Sequence, residues 1–406
     1  MKKNWFTLKA DTFLWLKSDK GLVYNAQNRK KFIFPLSNGI ENICHKLLDI
    51  ENLYTIELTD KELNDKDIDK WIHSIIDIEA GYISSNICFE ERPISLMPIL
   101  KVQDNKSYYE EQQKLGFKGK ILQNLHELTF YINGNKNGNN EFYKQTIYPI
   151  KGNQYLNSSK IISFIKNSRN PYLSNINLVG DIFSYNDFES LINDISNLSI
   201  SITVYLLVDD FINNFQSLKE IKWPSNVQLN LLVDKYFDIT YLKSICIPYI
   251  ITILIFSEKD ITKYSSLSLL ESTQKVRHIP IYNNNNLSFF KSYVYLFKED
   301  IENLSLSKND IFIRQALNIN DFGKLTIFFD GKVYANVNLE SLGDIDNSPY
   351  SIVYHEFTKG NSWFRVRTQK PCNNCIYQWL CPSPSNYEII INQANLCFFN
   401  DNHEIE

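Results

Sequence analysis

A chain of 406 residues is too long for one typical core and predicts two or three domains. With 44% hydrophobic and 14% aromatic residues it can bury substantial cores, which excludes a disordered chain, and a net charge of −4 leaves no electrostatic footprint for nucleic acid. Seven cysteines, an odd number, with no apolar segment behind Met1-Lys2-Lys3, predict a reducing cytoplasm and metal chemistry rather than a disulfide framework.

The first elements are three short aromatic and aliphatic segments, Phe13–Lys17, Gly21–Ala26 and Lys31–Leu36. Turn-like residues separate them, so they predict a small antiparallel meander. Helical periodicity follows at Ile40, Ile43, Leu47 and Leu48, at Leu63, and at Ile68, Trp71, Ile72, Ile75 and Ile76. Asp65 or Lys66 begins the last helix, and Gly81 is expected to stop it by taking the left-handed conformation. A meander and three helices within residues 1–90 predict a winged-helix-like domain. The layout resembles a RiPP recognition element, the PqqD-like domain that holds the leader of a ribosomal peptide substrate; a plain winged-helix docking module is the alternative. The resemblance implies a leader added as a strand beside Lys31, Phe32, Ile33 and Phe34 and against Trp71, Ser74 and Ile75. Trp71 also reads as a core residue.

Residues 91–118 read as a polar connector. From residue 119 to 300 strands and helices alternate. The predicted strands are Leu125–Asn133, Ile176–Asp181, Ile200–Val208, Val227–Val233, Tyr249–Phe256 and Arg277–Tyr282. The predicted helices are Ser159–Lys166, Asp187–Ile195, Phe211–Leu218, Ile239–Ile245 and Asp260–Gln274. Runs such as Ile250–Ile255 suit parallel strands buried on both faces. Six such units predict an α/β architecture, a partial (β/α)6 TIM-like barrel or an open sheet, with right-handed crossovers. The longest apolar run, Ile245–Phe256, is interrupted by Pro248 and is too short to span a bilayer, so no membrane partner is expected. The biased run Asn133–Asn140 reads as a flexible loop. Residues 301–406 form the last domain. In it Phe322–Asn336 reads as a hairpin turning at Asp330-Gly331.

That last domain carries the strongest chemical signal. Cys372, Cys375 and Cys381 stand at C-x2-C-x5-C, and Cys397 follows sixteen residues on. Thiolates are soft ligands, and four of them suit either tetrahedral zinc or an iron–sulfur cluster. Between them Ile376–Leu380 is apolar apart from Gln378, and Pro382 and Pro384 stiffen the exit. Cys44, Cys88 and Cys246 sit in apolar contexts and read as buried hydrophobes. The six histidines are scattered, and no P-loop, G-x-S-x-G or G-x-G-x-x-G occurs. Arg365 and Arg367 alternate on what reads as an exposed strand.

Taken together, the segments Phe322–Leu325, Val333–Asn338, Trp363–Arg367 and Cys381–Glu388 resemble pseudo-radical-SAM proteins of RiPP systems, with a recognition element in front and a reduced SPASM domain behind. Active relatives carry C-x3-C-x2-C after the first barrel strand. Here that loop is Asn133–Asn140, and no cysteine occurs between Cys88 and Cys246. The family's G-G-E-P falls at Val179-Gly180-Asp181-Ile182. The resemblance therefore implies no catalytic residue and no S-adenosylmethionine cofactor. It implies one 4Fe–4S cluster on Cys372, Cys375, Cys381 and Cys397, with zinc as the alternative. The expected role is a non-catalytic partner that binds a precursor peptide leader and assists an active radical SAM/SPASM maturase. An iron–sulfur electron relay or an independent peptide-modifying enzyme is the alternative.

Overall fold

The computed structural model describes residues 3–86, 92–100, 105–116, 120–235, 237, 239–264 and 275–399. The expected meander is present as β2 (Thr12–Lys17), β3 (Lys20–Asn25) and β4 (Lys31–Pro35), paired in the order β2-β3-β4. A second small sheet was not legible in the sequence: β1 (Lys3–Leu8) lies between β5 (Thr55–Leu58) and β6 (Gly81–Asn86), antiparallel to both. Helices α1 (Asn38–Leu48), α2 (Asp60–Leu63) and α3 (Lys66–Asp77) complete the module. The α3 N-cap is Asp65, whose carboxylate accepts the N–H groups of Asp67 and Ile68. Its helical spacing puts Ile68, Trp71, Ile72 and Ile75 on one buried face.

Gly81 does not stop this helix. Glu79, at φ 57°, takes the left-handed turn, and Gly81 opens β6. A Cβ on Gly81 would stand 2.9 Å from the Thr7 carbonyl oxygen, so close strand approach requires the glycine. In the connector, α4 (Asn105–Lys114) lays the Tyr109 ring 4.7 Å from that of Phe357.

Six parallel strands follow in sequential order: β7 (Glu127–Tyr131), β8 (Asn175–Val179), β9 (Ser201–Leu207), β10 (Val227–Val233), β11 (Tyr249–Ile255) and β12 (Lys275–Pro280). Their connections include α5 (Ser158–Ser168), α6 (Phe188–Ser196), α7 (Val208–Asn213), α8 (Phe215–Glu220) and α9 (Glu258–Lys263). The predicted Asp260–Gln274 helix falls partly outside the described residues. Beyond β12 come α10 (Leu287–Tyr293), α11 (Lys298–Glu302) and α12 (Lys308–Ala316).

The Asp330-Gly331 hairpin is not a separate unit. Its first strand, β13 (Lys324–Ile327), pairs parallel with β7, and β14 (Lys332–Tyr334) and β15 (Gly343–Asp344) extend the same sheet. The result is a mixed nine-stranded sheet running from β12 to β15, with no pairing that closes it into a barrel among the described residues. Helices α13 (Pro349–Lys359) and α14 (Asn386–Ile391) complete the chain.

One face of the parallel strands is apolar, with Leu128, Phe130, Ile176, Val204 and Leu229 in the main core. The other face departs from the expected apolar run. Asn177 donates to Thr129, Thr203 to Asn175, Gln228 to Thr203 and Thr252 to Asn230 across neighbouring strands, and Asn175 donates to Asn177 along β8. Burial there requires partners, and the polar side chains supply them to one another.

On α13 the buried Glu356 accepts the N–H groups of Ser362 (2.9 Å) and Trp363 (2.8 Å) with one oxygen, while the other has no partner among the described residues. Burial raises its pKa above the ordinary 4.5, against the opposing pull of those N–H groups. The folded state thus holds the proton more tightly, and stability is lost as pH rises from 4.5 through the raised value. Glu356→Gln should match the wild-type chain in thermal midpoint near pH 4.5 and exceed it at pH 8. Equal midpoints at both pH values would show that the carboxyl is not held neutral.

Candidate functional site

The four cysteines of the C-terminal stretch come together. Cys372 begins a single 3-10 turn over Cys372–Asn374, and Cys375 N–H closes on the Cys372 carbonyl at 3.1 Å. A second turn brings Cys381 N–H to the Tyr377 carbonyl at 3.0 Å. Cys397 arrives from the far end, beside Leu296, where Leu296 N–H bonds Leu396 and Phe398 N–H bonds Leu296. All four thiols line one cavity of about 30 Å³ with Leu296, Ile301 and Phe399. Burial pushes the Cys381 thiol up to about 12, opposed by the Arg367 charge and reinforced by the other three sulfurs.

Arg367 is the residue the sequence misplaced. Residues 365–367 are not a strand, and neither arginine is exposed. Arg367 is buried, pairs with Glu388 at 2.9 Å, donates to the Pro382 carbonyl, and directs Nη1 to the Cys372 sulfur at 3.7 Å. Gln378, the one polar residue of the inter-cysteine stretch, donates to the Arg367 carbonyl at 2.6 Å. Arg365 pairs with the buried Asp321 at 3.6 Å.

Four sulfur donors beside a buried guanidinium suit an anionic metal–thiolate set, because metal binding requires the thiols to lose their protons. As placed, no group of three or more His, Cys, Asp or Glu side chains among the described residues is arranged to hold a metal ion. The donor chemistry fits a metal; the sulfurs share a cavity but not a coordination sphere. Cys44 is buried as expected, Cys246 is exposed against expectation, and Cys88 lies outside the described residues.

At the C-terminal ends of β7 and β8, amides stand in the expected cofactor loop. Asn133 donates to the Asp181 carbonyl and to Ser184, and its Oδ1 accepts Asp181 N–H. A Cβ on Gly180, at φ +143°, would stand 2.2 Å from that Oδ1, so this position requires glycine. Asn135 and Asn137 both donate to Asp210. The run read as a flexible loop is therefore tied down.

Past it, the chain folds back over the strand ends. Tyr148 packs on Leu207, Leu232, Leu254 and Ile281, and Ile150 packs on Tyr131 and Val179. Gln145 clasps the Tyr282 backbone from both sides, donating to its carbonyl at 2.8 Å and accepting its N–H at 2.7 Å. Nothing in the composition of this stretch signals the clasp.

In the N-terminal module, Phe34, Trp71 and Ile75 are core residues, with Trp71 between Phe6 (5.7 Å) and Phe34 (5.5 Å). The Trp71 indole N–H is buried without a partner among the described residues. Ser74 bonds back to the Lys70 carbonyl, and Phe32 packs against the same core. Ile33 faces the opposite side of the sheet, and Lys31 donates to the Glu302 carbonyl.

What β4 has left is its backbone edge. Asn25 N–H bonds Lys30 O and Leu36 N–H bonds Asp19 O, so in this register Val23–Phe32 and Gly21–Phe34 are the hydrogen-bonded pairs. Lys31 and Ile33 then turn their N–H and C=O groups away from β3. No described strand pairs with that edge.

No family model and no curated protein matches this chain. Among solved structures it is similar in overall fold to Streptococcus suis SuiB bound to precursor peptide SuiA, at 12% identity over 98% of this chain and 99% of that one, with a TM-score of 0.44. It is similar to the same protein bound to S-adenosylmethionine, at 12% identity over 98% and 100%, with a TM-score of 0.43. It is also similar to BtrN in complex with AdoMet and 2-DOIA, at 10% identity over 58% and 84%, with a TM-score of 0.30.

Removing one member of a buried ion pair leaves the other charge uncompensated. Arg367→Ala is therefore expected to cost about 3–5 kcal/mol of unfolding free energy in urea titrations. Arg367→Lys should lose less, and a loss below about 1 kcal/mol would mean that Glu388 is solvated as an exposed pair is.

Proposed function

We propose that this chain is a non-catalytic partner in the maturation of a ribosomally made peptide. It binds the precursor leader as an added strand on β4 and associates with an active radical SAM/SPASM maturase. The observation that carries this reading is the β4 edge, where Lys31 and Ile33 offer outward backbone groups while the side chains on both faces are already committed. Strand addition uses main-chain hydrogen bonds for affinity.

The non-catalytic part is supported at the other end of the molecule. The loop after β7 holds amides hydrogen-bonded to Asp181 and Asp210 instead of thiols, and Tyr148 and Ile150 fill the strand ends. Cys372, Cys375, Cys381 and Cys397 would hold one 4Fe–4S cluster, or zinc, as a clip that stabilises an irregular tail. A cluster would supply electron transfer, whereas zinc would supply only ligation. Arg367 would orient Cys372 and offset thiolate charge in either case. No helix among the described residues is long and apolar enough to cross a membrane.

Ile33→Pro removes an outward N–H and leaves the β3–β4 hydrogen bonds in place. Pull-down of a co-expressed precursor peptide by the tagged wild-type chain is expected, with at least roughly tenfold weaker capture by the variant, the scale of about 1.4 kcal/mol. A wild-type chain that captures neither peptide nor maturase ends the proposal. With S-adenosylmethionine and a strong reductant, the chain alone should release no 5′-deoxyadenosine.

A further inference from the structure

The β2-β3-β4 sheet is a shared wall. Alternation sends Leu14, Val23, Phe32 and Phe34 to the helices of the N-terminal module, and Phe13, Trp15, Leu22, Tyr24 and Ile33 to the opposite side. That opposite side packs on the cysteine stretch itself: Ile376, Tyr377, Leu380, Cys375 and Cys381 belong to the same apolar cluster.

Polar bonds pin the contact. Lys17 donates to the Asn373 carbonyl (2.6 Å) and to Gln378 Oε1 (2.9 Å), between the first and third cysteines. The Tyr24 hydroxyl donates to the Leu306 carbonyl and accepts Leu306 N–H. Glu302, the last residue of α11, bridges β4 to the cysteine stretch. Its carbonyl holds the Lys31 ammonium of β4, and its carboxylate accepts the Tyr377 hydroxyl at 2.6 Å.

From this wall we infer that metal binding at the four cysteines and peptide docking on β4 are thermodynamically linked, with Glu302 and Tyr377 as the positioning residues that connect them. Ligation fixes the backbone from Cys372 to Cys381. A fixed stretch offers the Asn373 carbonyl and Gln378 to Lys17 of β2 and Tyr377, through Glu302, to Lys31 of β4, and that arrangement orders the sheet and its β4 edge. Linkage is reciprocal, so an ordered, peptide-bearing β4 tightens metal binding by the same factor. A purely local clip would leave β4 indifferent to the metal.

The inference rests on the reading of the four cysteines as a metal-holding set and of β4 as the docking edge. It is tested without peptide, so its failure is distinct from failure of the pull-down. Hydrogen exchange is followed on the full chain at the Phe32 and Phe34 amides, which bond to β3, in metal-free protein and after anaerobic loading with iron and sulfide or with Zn²⁺. Metal content is measured on the same samples. Loading is expected to slow exchange at these amides at least roughly tenfold. Tyr377→Phe, which keeps the ring but loses the bond to Glu302, should bind the same amount of metal and show a markedly smaller slowing. Bound metal with unchanged exchange overturns the linkage. Slowing as large in Tyr377→Phe as in the wild-type chain overturns the Glu302–Tyr377 route. No metal uptake overturns the metal reading and the linkage with it.

Discussion

The structure depends on one constraint: the three-stranded sheet β2-β3-β4 is buried on both faces. On one side it closes the core of α1 and α3; on the other it covers the cysteine stretch. A sheet committed twice has no free side-chain face, and among the described residues the backbone edge of β4 is left unpaired by a strand. The same arrangement joins the first 35 residues to the region from Glu302 to Gln378 through the side chains of Lys17, Tyr24 and Lys31. Each reaches a hydrogen-bond partner that the distant part of the chain supplies, as partly desolvated polar groups must.

The large sheet follows the opposite logic. Its apolar face is covered by helices, as parallel strands require, but its other face is knit by amides and hydroxyls. At the strand ends, Asn133, Asn135 and Asn137 satisfy Asp181, Ser184 and Asp210, and Gln145 ties the loop after β7 to the end of β12. These groups spend their hydrogen-bonding capacity on the chain itself. Asp210 illustrates the outcome: burial raises its pKa, and two amide donors oppose the shift.

Much of this was legible in advance. The meander, the start of α3 at Asp65 or Lys66, all six parallel strands and the Asp330-Gly331 turn are local features, set by period, capping and turn chemistry. What was missed is non-local. Strand β1 is short and pairs with residues some fifty and eighty positions away, so no neighbouring pattern announces it. Gly81 looked like a helix stop because a glycine after a periodic run usually is one; here the Thr7 carbonyl decides its identity. Arg365 and Arg367 alternate as exposed strand residues do, and only the presence of Asp321 and Glu388 turns them inward.

The sequence by itself determined the donor set, four sulfurs at C-x2-C-x5-C and a fourth beyond, and the absence of thiols in the loop after the first parallel strand. It also determined the strand–helix alternation, because residue type and spacing act within a few neighbours. Only the tertiary structure decided that the four thiols share a cavity with Arg367, that the hairpin joins the main sheet, and that Glu302 stands between Lys31 and Tyr377. Those outcomes come from packing and charge compensation between segments up to hundreds of residues apart, and local spacing carries no record of them.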